Sequence, residues 1–481
     1  MVHTSSPDFQ ASDSAADSPA HLESGHLSRG SLVSLSLASF IPAVGMALLP
    51  VLLLSTAGST AWSSSLLTAV IVSCVGIAVI TFARRYISTG SLYSYIGEVF
   101  GPWARYLTAA ALLAGYVAQI AAIAATVGIF TGSFLASQGF ENSLGFGVQA
   151  VVIFGAILIA AAVAYRGLDT SVRVAVTLAL LSVPLMVVIT VMSAANTGLD
   201  LGQQFAFGSL DFGGTMQGVA AGAAWLIGFE SCTSLAAESK DPRKNVPLAV
   251  MAAPVVLGVV YVLSTVLQVP GLTAAAEAID AGMSAPAALA LQSGLGASVA
   301  NVTDLVLAIA SFAALIGFIN YGSRFVMSIG EDGLLPRFMT RIHPRFHSPH
   351  VAVVSMAVLG FIVMAILELI TGDIVSAYAM ATPLIAYCWV APYILICAGA
   401  VVLSWRLGER SIVVLISAVV GAAGIGWMYI NGWIDPPPPP TDAMLWVSIL
   451  VIVATLAIIL VTKRRMRSSG GSETTNTLKD A

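Results

Sequence analysis

The chain is divided from end to end into stretches of about 20 mainly apolar residues, the length a helix needs to cross a bilayer, and this limits its folds more than any other feature. The stretches lie near 31–55, 62–83, 103–135, 146–165, 172–194, 215–237, 246–269, 298–325, 350–371, 374–403, 411–432 and 443–462. The runs are continuous, whereas strands of a membrane barrel would alternate apolar and polar side chains. Inside lipid the backbone must satisfy its own hydrogen bonds, and helices do so within one segment. We therefore expect an all-α integral membrane protein with twelve transmembrane helices. Composition agrees, since 58% of the 481 residues are hydrophobic and only 9% are charged. Too few polar groups exist to cover a soluble surface, which excludes a soluble enzyme, a coiled coil and a nucleic-acid binder.

Twelve spans put both termini on one side, and the basic residues test that count. All 20 Lys and Arg residues, from Arg29 through Arg84, Arg166, Lys240, Arg337 and Arg406 to Lys479, fall on the side of the termini. The opposite connections hold Glu141, Asp200, Asp211, Glu277, Asp280, Asp304, Glu368, Asp373, Asp435 and Asp442 and no basic residue. Positive charge stays in the cytoplasm, so both termini are expected there, in a multi-pass protein of the cytoplasmic membrane. Residues 1–30 are polar and aperiodic and read as a disordered cytoplasmic tail, without the features of a signal peptide. Residues 463–481 form a basic cytoplasmic tail. Cys74, Cys232, Cys388 and Cys397 lie in apolar stretches and are expected to pack as small hydrophobes. The run from Pro436 to Pro440 reads as a stiff external spacer. His343, His347 and His350 read as solvated loop residues; no metal site and no cofactor are expected.

Two spans are interrupted. The first carries Pro42 and Gly45 near its middle, and proline removes a backbone donor and clashes with the preceding turn. The sixth reads Gly218, Gly222, Trp225, Ile227, Gly228, Phe229, Glu230, with a carboxylate in mid-span. An ionisable group there costs at least about 2.5 kcal/mol and marks a functional candidate. Interruptions at matching places, first and sixth, point to a five-plus-five inverted repeat with its site at the midplane. Each interruption alone also fits ordinary kinking and close packing, and Glu230 alone also fits a carboxylate held by freed backbone amides. The repeats are placed at 31–194 (helices 1–5) and 215–403 (helices 6–10), followed by two extra helices, 11 and 12, at 411–462.

Four stretches resemble the amino acid–polyamine–organocation superfamily of permeases. Gly228-Phe229-Glu230, with Glu238-Ser239-Lys240-Asp241-Pro242-Arg243-Lys244-Asn245-Val246-Pro247, is similar to the family's sixth helix and following loop. Ser323-Arg324, with Glu331-Asp332-Gly333-Leu334-Leu335-Pro336 and His343-Pro344, resembles the end of its eighth helix. Gly90-Ser91-Leu92-Tyr93-Ser94-Tyr95, with Phe100-Gly101-Pro102, resembles the loop after helix two. Ala43-Val44-Gly45, with Leu48-Leu49-Pro50 and Ser55-Thr56-Ala57-Gly58, resembles the first-helix motif, in the pattern of the basic amino acid/polyamine antiporter and amino acid permease branches.

The resemblance implies secondary transport by alternating access, with discontinuous helices 1 and 6. In the family, free amides at the helix-one break hold a substrate carboxylate, and carbonyls of the two breaks hold its amine. Here Ala43 replaces the first glycine of that motif, after Pro42, so fewer amides are free. Leu181 stands where some proton-coupled relatives keep a lysine. No span core contains Lys or Arg, which disfavours an acidic cargo and points to a neutral or cationic amine. The substrate-binding candidates are Ala43, Val44, Gly45, Met46, Ile227, Gly228, Phe229 and Glu230. Trp225 either gates the amine through its ring or packs as core, and Tyr116 in helix three is a further binding candidate whose facing the sequence leaves open. Ser311, in helix eight, either holds a coupling ion together with Glu230 or joins helices by a hydrogen bond. The coupling ion, proton or sodium, is open.

The function expected is a permease for an amino acid or related amine, by symport or exchange. An exporter or exchanger on the same fold is the nearest alternative. A membrane enzyme lacks a cluster of catalytic groups within the spans, and a sensor lacks a sizeable signalling domain.

Overall fold

The computed structural model describes residues 25, 27–87 and 90–476, so most of the expected N-terminal tail and the end of the basic tail lie outside the described residues. Among the described residues every regular element is a helix, and eleven segments are long and apolar enough to cross a membrane. The first is Arg29–Thr60. It consists of α1 (Arg29–Ala38), whose N-cap Ser28 accepts from the Ser31 amide, and α2 (Pro42–Ala57). Then come α3 (Trp62–Ala83), the short α4 (Leu92–Phe100), α5 (Pro102–Ser137), α6 (Phe146–Tyr165) and α7 (Leu168–Thr197). The expected span at 215–237 is not one helix: α8 (Phe212–Ala223) ends in an irregular turn, and a 3-10 segment, Phe229–Glu238, follows. Next are α9 (Pro242–Ala274), two short helices α10 (Ala276–Asp280) and α11 (Ala285–Gln292), and the long α12 (Ala297–Glu331). The chain closes with α13 (His350–Thr371), α14 (Ile374–Arg406), α15 (Ile412–Ile434) and α16 (Ala443–Asn476). α16 runs past the expected end at 462.

α5 is the central post. Of its most apolar stretch 94% is buried by protein, against 28% for α15 and 22% for α16. It packs along α12, α13 and α14. At 1.5 Å per residue its length is about 54 Å, far more than a bilayer core about 30 Å thick. α15 and α16 stand outside and show Ile412, Ile416, Leu450 and Ile458 to the surroundings.

Several sequence expectations need correction. Asp304 and Glu368, assigned above to external connections, sit inside α12 and α13 and are buried. Arg324, at the end of an expected span, is 1% exposed, so a guanidinium does lie inside the protein there. Leu181 is 68% exposed on α7, and the inward face falls on Ser182, Met186 and Ile189. A lysine at position 181 would thus point away from the core. His343 and His350 are not simply solvated: they form an aromatic cluster with Tyr165, and the His343 ring nitrogen Nδ1 accepts from the Arg345 and Phe346 amides. No group of three or more metal-ligating side chains occurs among the described residues. The four cysteines are free thiols, three of them buried.

Candidate functional site

The first interruption opens just before Pro42 rather than at it. Residues 39–41 leave the helix, with Ile41 in the left-handed region at φ 37°, a conformation rare for a β-branched residue. Pro42 then starts α2 at the first helical position, where its missing N–H costs no hydrogen bond. The break is tied down from three sides. The Ser39 hydroxyl lies 3.0 Å from that of Tyr321 on α12, Phe318 meets Phe40 edge-on, and Tyr261 on α9 donates to the Phe40 carbonyl at 3.3 Å. Ala43, Val44, Gly45 and Met46 are not in the irregular stretch; they form the first turns of α2 and are buried. The Val44 and Gly45 amides both bond the Ile41 carbonyl, at 3.0 and 3.1 Å. With no N–H on Pro42, Ala43 is left as the first-turn amide without a backbone acceptor among the described residues. Gly45 faces the Tyr261 ring so closely that a Cβ there would run into its hydroxyl and ring carbons.

The second interruption is longer and carries charge. After Ala223 the chain makes turns through 224–228, where Gly228 adopts φ 87° and where an added Cβ would stand 3.1 Å from Phe318. The following 3-10 segment places Glu230 fully out of solvent. Its carboxylate is held by two aromatic donors from α14: the Trp389 indole N–H gives to Oε1 at 2.7 Å and the Tyr393 hydroxyl to Oε2 at 2.7 Å. Tyr393 also accepts the Gly228 amide at 3.0 Å, so one side chain fixes both the carboxylate and the bend beside it. Tyr116 of α5 does face this place, with its hydroxyl donating to Ser231 at 2.8 Å and its ring edge-on to Trp389 at 5.5 Å. Gly115 makes the space, because a Cβ there would collide with the Trp389 ring. No cation pairs with Glu230 among the described residues. An ionised carboxylate in this setting keeps two hydrogen bonds but lacks a counter-charge among the described residues.

The remaining expected residues are distributed as follows. Ile227 and Phe229 are fully buried around the turn, and Phe229 packs against Tyr393. Trp225 stands in the turn against Tyr378, at a centroid distance of 6.5 Å, and Gln119 of α5 donates to the neighbouring Ala224 carbonyl at 3.3 Å. Ser311 gives its hydroxyl to the Leu307 carbonyl one turn back, at 2.9 Å. α12 meets the first break at Gly317, Phe318 and Tyr321, and Gly317 is about 9 Å along the helix from Ser311. Sequence reasoning missed Trp389 and Tyr393. A signal was there: the two are four residues apart on one helix face, and polar-tipped aromatics inside a span need a partner.

One end of the 3-10 segment is locked. Arg324 of α12 grips Glu238 through Nε to Oε2 at 2.6 Å and through its second amino group to Oε1 at 3.0 Å, both side chains being buried. Leu27 pairs with the same place by backbone, its amide bonding Glu238 O at 2.9 Å and its carbonyl accepting Lys240 N at 2.8 Å. At the same end the Tyr93 hydroxyl of α4 donates to Asp332 at 2.6 Å. Burial, and then the adjacent Asp332 carboxylate, push the Tyr93 hydroxyl well above its ordinary range, so it remains the donor. At the other end a cavity of about 320 Å³ lies between α2, α8, α14 and α15, roofed by Pro437 and Pro438. Gln217 donates to the Asp435 carbonyl at its rim, so the proline run covers this mouth besides spacing two helices.

A family model described as amino acid permease matches residues 28–455. The branched-chain amino acid permease of Lactococcus lactis is 27% identical over 318 residues, covering 63% of this chain and 67% of that protein. The methylthioribose transporter of Bacillus subtilis is 24% identical over 57% of this chain and 61% of its own length. Vacuolar cationic amino acid transporter 4 of Arabidopsis thaliana is 29% identical over 58% of this chain and 48% of its own length. The chain thus spans about two thirds or less of the length of these relatives.

Proposed function

Since this chain belongs to the amino acid permease family, a family of multi-pass membrane transporters rather than enzymes, we propose that it moves an amino acid or related amine across the cytoplasmic membrane by alternating access, through ion symport or exchange. The observation that carries this reading is Glu230, a buried carboxylate at a helix interruption with two neutral donors and no counter-ion among the described residues. The substrate amine or the coupling ion provides the missing positive charge. Gly45, Ala43, Val44 and Met46 on one side and Ile227, Gly228, Phe229 and Tyr116 on the other form the walls around it. We take α8 with the 3-10 segment as the twelfth crossing, 31–194 and 215–403 as the two inverted repeats, and the termini as cytoplasmic, on the distribution of Lys and Arg. Arg324–Glu238 then closes the inner side and the cavity under Pro437 and Pro438 leads in from outside.

Relatives named for branched-chain and cationic amino acids take substrates with an α-amine, whereas methylthioribose has none. The apolar walls and the acidic centre favour an amine with a neutral or cationic side chain. The test is radiolabelled flux in liposomes for the common amino acids, polyamines and methylthioribose, with and without sodium or proton gradients. Gradient- or exchange-driven flux of an amine is expected. Flux of methylthioribose alone, or none from folded protein, contradicts the reading.

A further inference from the structure

Away from the two interruptions, a pocket of about 350 Å³ lies where α5 begins and α16 leaves its apolar span. Its walls include Tyr93, Gly97, Gly101, Arg105, Asp332 and Lys463. The level in the membrane follows from the spans, because Pro102 opens one and Lys463 stands two residues before the end of Ala443–Arg465. Trp103, 60% exposed on the same turn of α5, is the aromatic type that settles at the headgroup layer.

Two cations share this pocket with one carboxylate. Lys463 rests its ammonium on the ring and hydroxyl of Tyr106 and has no carboxylate partner among the described residues. Arg105 lies over the Tyr93 ring at 5.2 Å and forms ion pairs with Glu98 at 3.7 Å and Asp332 at 3.6 Å. Asp332 has an oxygen engaged by the Tyr93 hydroxyl at 2.6 Å. Lys463, next to the exposed Arg464, is therefore the cation of this pocket that no carboxylate pairs among the described residues, at the depth of lipid phosphates.

We propose that this pocket binds the phosphate of an anionic membrane lipid, with Arg105 and Lys463 on its oxygens and the acyl chains lying along α5 and α16. The geometry suits a phosphodiester. Arg105 offers a planar fork and Lys463 a point charge in the same pocket, and basic pockets between spans at this depth recognise such headgroups. Free phosphate has the same chemistry but no chains to hold it at the interface.

The experiment uses the delipidated full-length chain in a neutral detergent and reads thermal stability after adding phosphatidylglycerol, phosphatidylcholine or inorganic phosphate. Phosphatidylglycerol is expected to raise Tm by roughly 3 °C over phosphatidylcholine, a size typical of ligand linkage, and phosphate to leave it unchanged. Lys463→Gln should lose at least half of that rise, while Arg410→Gln, an exposed cation elsewhere, keeps it. A full rise in Lys463→Gln, an equal loss in Arg410→Gln, or the same rise from phosphate overturns the proposal. Should Lys463→Gln fail to fold, a photo-crosslinkable phosphatidylglycerol on the unmodified chain decides: labels on 97–106 or 459–465 support the pocket, and labels only elsewhere overturn it.

Discussion

The two interruptions do different work with different materials. The first is short, three residues between α1 and α2, and it is built from backbone: Ile41 in the left-handed region, a proline that starts the next helix, and hydroxyls and rings that seal it. The second is longer, ends in a 3-10 segment, and carries a fully buried carboxylate on two aromatic donors. In the first, the chain's own Tyr261 fills the space beside Gly45. In the second, charge is left without a counter-charge. On the function proposed above, the contrast amounts to a division of labour, in which one break supplies shape and backbone groups and the other supplies the electrostatic attraction.

That division can be broken experimentally, beginning with the largest effect. Gly45→Leu places a side chain where the Tyr261 ring already stands, and uptake should fall at least about 100-fold, since misplacing one wall of a site by about 1 Å costs that much, while membrane-extracted protein still elutes as a single species. Retained uptake would mean that the first break does not shape the pathway. At the second break, Tyr393→Phe removes the donor to Oε2 and the acceptor for the Gly228 amide, whereas Trp389→Phe removes one donor only. Hydrogen bonds to charged groups are worth about 1.5–3 kcal/mol, or roughly tenfold and more in rate. Transport should drop about 10- to 100-fold in Tyr393→Phe and about 10-fold in Trp389→Phe; the reverse order would dissociate the bend from the carboxylate. Gly228→Ala forces φ 87° on a residue with a Cβ, and should lower stability by about 1–2 kcal/mol, read as a lower Tm. Smallest, Tyr261→Phe loses only a 3.3 Å bond to the Phe40 carbonyl and should change uptake by no more than about threefold.

Much of this was legible in the sequence for one reason: lipid demands long apolar helices, and eleven of the twelve expected stretches recur as helices of that kind. The sixth differs because the chain leaves the helix through turns at 224–228, with Gly228 in the left-handed region at φ 87°. Both interruptions were visible from Pro42, Gly228 and Glu230, whereas the direction Tyr116 faces was not. What each helix turns inward was not legible, since a helix in lipid is apolar all round and its 3.6-residue pattern fades. The sequence for that reason does not show that Leu181 faces outward and Ser182 inward. Trp389 and Tyr393 escaped because they reach Glu230 across 159 and 163 residues of chain. Asp304 looked like a loop residue, but Ser133 of α5 and Ser284 before α11 satisfy its carboxylate inside α12. Arg324 and Glu238 stood in separate motifs and are one buried pair. The Glu230 carboxylate is therefore less isolated than the scarcity of charge suggested, although it remains the one at the second break.

The central claim is that Glu230 supplies the charge on which transport turns. It is tested most directly by flux into liposomes from Glu230→Gln, an isosteric change that keeps an acceptor for Trp389 or Tyr393 but removes the ionisable group. Loss of gradient-driven uptake is expected, with normal membrane insertion and an unchanged elution profile. Uptake at the unmodified rate, with the same dependence on the ion gradient, would contradict it.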